Sequence, residues 1–157
     1  GNMGGMPFFS SELLRFFLHD TNTIYFKDNG LDDFMKPLGV PMKFTDYNFE
    51  GETWFIADGN CLSSTGHFLS LIKEYKLGKI AGEEPGGSFY CNDNSVHIIL
   101  PYSGLEVSIA RSVFETGVND WTYGQPVIVD VEISPTINSV ISGNDMVLDS
   151  IISIINK

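Results

Sequence analysis

Thr53-Trp54-Phe55-Ile56-Ala57-Asp58-Gly59-Asn60-Cys61-Leu62-Ser63-Ser64-Thr65-Gly66 begins as an apolar, β-prone run and stops at Gly59-Asn60, which predicts a buried strand ending in a turn. Beyond it Phe68, Leu71, Ile72 and Tyr75 recur at i, i+3, i+4 and i+7, one apolar stripe of a helix. Lys73, Lys76 and Lys79 suit the negative end of that helix, and Gly78 is its expected stop. Two serines and a threonine therefore fall where a strand hands over to a helix. Free backbone N–H groups and the positive end of the helix dipole meet at such a junction, where they can stabilise an oxyanion beside an attacking hydroxyl. Serine is also a favoured N-cap, so spacing alone leaves capping and catalysis both open.

On the N-terminal side, Ser10-Ser11 precede Glu12 to Leu18, whose apolar residues predict a short helix behind a serine cap. Residues 19–51, punctuated by Asn29-Gly30, Pro37, Gly39 and Pro41, read as a long variable excursion that could wall a substrate cleft. On the C-terminal side, Ile80-Ala81 lead into a glycine-rich loop, Gly82 to Ser88. Val96–Leu100 and Leu105–Ile109 predict a hairpin joined by Pro101-Tyr102-Ser103-Gly104. Val127 to Ile133 reads as a further strand. Asp145 to Ile155 reads as a closing helix, capped by Asn144, with Val147, Leu148, Ile151, Ile152 and Ile155 on one face. This order describes an α/β domain without repeats.

At 157 residues the chain suits one domain able to bury roughly two thirds of its unfolded surface. Its net charge of −11 argues against nucleic acid or an anionic membrane surface as partner, and no apolar run is long enough to cross a bilayer. Cys61 and Cys91 read as two ordinary buried thiols, though their pairing is open. Glu83-Glu84 and Asp32-Asp33 read as solvated acidic pairs, so no metal or cofactor is expected. The opening Gly1-Asn2-Met3-Gly4-Gly5-Met6-Pro7 reads as the middle of a longer chain, with Gly1 a scar of tag removal.

Phe55 to Ser88 resembles the nucleophile segment of the C-terminal processing peptidase and tricorn-core family. There a strand ends in a turn, a Thr-Ala-Ser-like triplet carries the nucleophile, and a helix runs to a Gly-Glu-x-x-x-Gly loop. Cys61-Leu62-Ser63 and Gly82-Glu83-Glu84-Pro85-Gly86-Gly87 match these pieces, and aligning the loops puts Ser63 on the nucleophile. Asn2-Met3-Gly4-Gly5 resembles the end of the family's Asp-x-Arg-x-Asn-x-Gly-Gly motif. Leu100 to Leu105 resembles its Leu-Pro hairpin, and Ser142 to Leu148 its closing helix start, so the likeness covers nearly the whole chain.

The resemblance implies a crotonase-like (ClpP-like) α/β core of stacked strand-helix units, of which this chain is the C-terminal portion. It implies hydrolysis of peptide bonds by acylation of Ser63. The oxyanion donors would be the amides of Ser64 and of Gly4 or Gly5. A peptide or protein is the implied substrate, and a bacterial extracytoplasmic setting is implied by the family's habits alone. One departure matters: the loop lysine that serves as base in the processing peptidases is Ser88 here, which excludes a Ser–Lys dyad at that position. The tricorn-like branch uses an upstream histidine held by a downstream acid, and Asp120 is a candidate acid with Glu115 as its rival, since the family aspartate is Val127 here. The residues leave other readings open. His67 lies one turn from Ser63 and could serve as a local base, and Cys61 could be a nucleophile, while His19 and His97 read as structural. The whole could also be a non-catalytic peptide-binding relative or an acyl-CoA enzyme on the same core.

Overall fold

The computed structural model describes residues 2–19, 22–43, 45–93 and 95–156. It is a mixed α/β structure in which the strand-turn-helix segment forms the centre. Strand β1 (Trp54–Ala57), helix α2 (Ser64–Tyr75) and strand β2 (Lys79–Gly82) make one β-α-β unit, with β1 and β2 parallel from Trp54↔Lys79 to Ala57↔Gly82. A short β7 (Val131–Glu132) extends that sheet on the far side of β2. Phe68, Leu71 and Ile72 of the expected stripe are buried and Tyr75 half-buried, but Gly66, His67, Leu69 and Ser70 are buried too, so α2 is enclosed on all sides from Gly66 to Ile72 instead of presenting a single apolar stripe. The helix ends earlier than Gly78: Lys76 takes the left-handed conformation, and the Leu77 N–H reaches back to the Ile72 carbonyl at 3.0 Å, so a lysine accepts the backbone strain that glycine usually relieves.

Helix α1 is Pro7–Leu14, earlier than the Ser10-Ser11 cap suggests. Pro7 at the first helical turn starts it, because proline brings a preset φ and no N–H to satisfy. Ser11 is thereby carried inside the helix, where its hydroxyl is buried against the Met42 sulfur at 3.2 Å. The excursion 19–51 supplies part of the main core rather than a peripheral wall. Tyr25 and Phe26 are fully buried, Leu31, Leu38 and Met42 nearly so, and a short 3-10 turn spans Lys36–Gly39. Isolated bridges Ile24↔Pro41 and Phe26↔Thr116 tie it down.

Two further pairs complete the β structure. β3 (Tyr90–Asp93) lies antiparallel to β6 (Ser112–Glu115), and between them β4 (Val96–Ile99) and β5 (Glu106–Ile109) form the expected hairpin. Of the strand expected over 127–133 only Val131–Glu132 pairs, although Val127 is fully buried. Helix α3 (Ile137–Ser142) is capped by Thr136. Helix α4 (Met146–Ile155) is capped by Asp145, whose carboxylate accepts from the Leu148 N–H at 3.0 Å, so the cap falls one residue after Asn144. Val147 and Ile151 of α4 pack with Ala81, while Leu148, Ile152 and Ile155 of the expected face stay exposed. No helix among the described residues is long and apolar enough to cross a membrane.

Candidate active site

Ser63 occupies the N-cap position of α2 at φ 51 and ψ −128, yet its side chain makes no capping hydrogen bond. A non-glycine residue there carries backbone strain of about 1–3 kcal/mol, which persists only where surrounding structure holds it. Such a strained strand-to-helix turn pushes a serine hydroxyl outward from the end of a sheet. Here the half-buried Ser63 lines a groove of about 420 Å³. Leu62, the loop Glu84 to Ser88, Tyr90, Cys91 and the segment Gly124 to Pro126 complete its walls.

The turn is held by glycines at close quarters. Gly4 (φ 91) lies so near that a Cβ on it would sit 2.8 Å from the Ser63 Cβ and 2.9 Å from the Ser64 nitrogen. From the other side, the Gly87 N–H donates to the Cys61 carbonyl at 2.8 Å, and a Cβ on Gly66 would meet the Gly87 carbonyl carbon at 2.5 Å. The glycine-rich loop is thus fastened against both the turn and the first turn of α2. Ser88 reaches the same groove as Ser63, and its hydroxyl donates to the Gln125 carbonyl at 2.6 Å, joining two of the walls.

Ser63 and Cys91 line the same groove. Burial, with the charge of Asp93 adding to it, pushes the Cys91 thiol up to about 11 against the pull of the Ser63 hydroxyl. Cys91 is therefore a neutral thiol near pH 7 and cannot take the proton of the Ser63 hydroxyl. Spacing gave no hint that Cys91 shares this groove, since it lies on β3, a strand defined by its pairing with β6. Cys61, the rival nucleophile, is buried with its sulfur 3.8 Å from an Asp58 carboxylate oxygen, and it does not line the groove.

The other expected residues are placed as follows. The Ser64 hydroxyl accepts from the Gly5 N–H at 2.8 Å, so Ser64 binds the N-terminal segment rather than capping its helix. The Gly4 N–H donates to the exposed Asn2 side chain at 3.0 Å. Both glycine amides expected as oxyanion donors are therefore engaged within the protein. Asp120 is exposed at φ 57 and outside the groove lining, between Asn119 and Trp121, which both bond to Glu74. Glu115 pairs with Lys27 at 2.5 Å and accepts from Tyr123 at 3.1 Å. His19 is exposed, and His97 pairs with Glu106 on the exposed hairpin at 2.7 Å.

His67 is no base for Ser63. It is 1% exposed, neither ring nitrogen has a hydrogen-bond partner, and the ring stands edge-on to Phe26 at 5.2 Å. Burial pushes its pKa down to about 4. Between pH 6.5 and 4 the unfolded chain takes up a proton that the folded chain refuses, so stability falls as pH falls. By pH 4 the loss is about 3 kcal/mol from this group, at roughly 1.4 kcal/mol per unit. Urea unfolding at pH 7 and pH 4.5 is expected to show the loss in wild type and a much smaller one in His67→Leu. Equal losses in both would refute it.

No family model matches the sequence, and no curated protein matches it. Among solved structures, one described as a "putative peptidase" from Parabacteroides merdae ATCC 43184 superimposes with a TM-score of 0.65 at 15% identity, over 98% of this chain and 49% of that one. The tricorn protease aligns at a TM-score of 0.46 and 18% identity, over 92% of this chain and 13% of that one. The first likeness shows that the two chains share a fold, and this chain spans about half the length of that structure.

Proposed function

We propose that this chain carries the nucleophile of a serine peptidase of the C-terminal processing peptidase and tricorn-core type, built on a crotonase-like core. The observation that supports it is the Ser63 hydroxyl, held at a strained strand-to-helix turn, unused as a helix cap, and lining a groove. In the proposed reaction the Ser63 Oγ bonds to the carbonyl carbon of a peptide while its proton passes to a general base. Collapse of the intermediate breaks the C–N bond, the amine leaves with that proton, and water releases the acyl group. The Ser64 N–H, at the start of α2, is one oxyanion donor. Gly4 is the better second donor, because its bond to an exposed asparagine side chain exchanges more easily than that of Gly5 to the buried Ser64.

None of the groove residues is a histidine or lysine, so the base is supplied from outside the groove as these residues form it. Glu84, Tyr90 and Cys91 are the ionisable groups there, and the raised thiol is unsuited to the task at neutral pH. The same feature favours a second reading, a relative that binds peptides without cutting them. An alkyl fluorophosphonate, which phosphonylates activated serines, separates the two in the full-length protein. Labelling mapped by mass spectrometry to Ser63 is the expected result. Labelling at another residue, or none, leaves the peptide-binding reading in its place.

A further inference from the structure

Glu84 is the one acidic residue among those that line the groove, and none of them is basic. Its carboxylate is exposed and makes no hydrogen bond or ion pair among the described residues. It does not hang on a free loop. Two residues later Gly86 is packed so closely that a Cβ there would meet the Gly59 carbonyl oxygen and come within 2.8 Å of a Leu62 methyl, and Gly87 is bonded to Cys61. The loop is thus anchored to the very turn that carries Ser63. An unneutralised carboxylate fixed in a cleft of a protein with net charge −11 draws cations and repels anions.

Resting on the reading of Ser63 as nucleophile, we propose that Glu84 is a specificity-determining residue of the groove. The substrates it favours are peptides with a lysine or arginine side chain next to the bond that is cut. The carboxylate is solvent-accessible, so the pair is of the exposed kind, and a two- to fivefold preference over an uncharged side chain of similar length is the expected size. Raising the salt concentration shrinks it, because exposed pairs are screened.

The test uses three probes on the full-length protein: an alkyl fluorophosphonate with no side chain, and two peptidyl phosphonates that carry either lysine or norleucine at the residue bearing phosphorus. The ratio of Ser63 labelling rates, lysine over norleucine, is expected to be two to five in wild type and near one in Glu84→Gln, with the alkyl probe reporting in each form whether Ser63 still reacts. Glu83→Gln removes the same charge from the neighbouring residue, which does not line the groove, and is expected to keep the wild-type ratio. If the alkyl probe labels Ser63 but the ratio is one in wild type, or unchanged in Glu84→Gln, the specificity proposal is overturned while the nucleophile stands. A ratio that falls equally in Glu83→Gln overturns it too, by showing an effect of net charge alone. If the alkyl probe fails to label Ser63, both fall together.

Discussion

Alanine at position 63 is expected to abolish peptide cleavage and fluorophosphonate labelling in the full-length protein while leaving the fold intact. Loss of a serine nucleophile lowers turnover by factors on the order of 10³ to 10⁶, since what remains is only binding and oxyanion stabilisation. Alanine keeps the Cβ and hence the backbone conformation at φ 51, so no structural change should accompany the loss. Glycine at the same position sharpens the test. It removes the strain of about 1–3 kcal/mol that an L side chain bears there, against an entropic cost of about 0.5–1 kcal/mol. Ser63→Gly should therefore be inactive yet as stable as wild type, or more stable by about 1 kcal/mol. Thermal unfolding of the three forms reads this directly. A Ser63→Gly variant markedly less stable than wild type would show that the hydroxyl serves packing rather than chemistry.

The second large effect is structural. Gly82 ends β2 at φ 118, buried and paired with Ala57, and a Cβ there would overlap the Ala57 carbonyl oxygen. Gly82→Ala combines the positive-φ penalty of about 1–2 kcal/mol with an overpacking cost of about 1–3 kcal/mol, because the atom in the way is backbone and cannot swing aside. A loss of about 3 kcal/mol is expected, which for a domain of this size lowers the Tm by about 6–12 °C. Since residues 83–88 follow directly, Ser63 labelling should slow as well. Gly66→Ala makes an instructive contrast. Alanine gains about 1 kcal/mol of helix propensity over glycine, which offsets part of the clash with the Gly87 and Ser88 backbone. Its main expected effect is a displaced groove wall, seen as slower labelling with a smaller change in Tm. A Gly82→Ala protein that melts with wild type would refute the close-approach account.

Much of the central unit is legible in the residues. The apolar run 54–57, the stripe from Phe68 to Tyr75, and the alternation around Pro101-Tyr102-Ser103-Gly104 each announce their element because the periodicity is local. What depends on a distant partner is not legible. β2 is legible as a short strand at Ile80-Ala81, but that β1 and β7 flank it is not. β3, Tyr90 to Asp93, is polar at its end and has no strand signature of its own, yet it pairs with residues 112–115 and brings Cys91 into the groove that Ser63 lines. Likewise residues 19–51 look like a loop by their glycines and prolines, while Tyr25 and Phe26 among them are fully buried.

By itself the sequence determined the strand-turn-helix hand-over, the placement of three hydroxyl residues at that point, and the absence of a lysine where Ser88 stands. Short-range steric preferences and side-chain period are enough to write those down. Only the tertiary structure decided that Ser63 holds φ 51 without capping its helix, that a neutral thiol lines its groove, that His67 is sealed in the core, and that Glu84 shares the groove. A backbone strain, a buried imidazole and a thiol raised by burial are imposed by packing between segments far apart in the chain, and no local pattern encodes them.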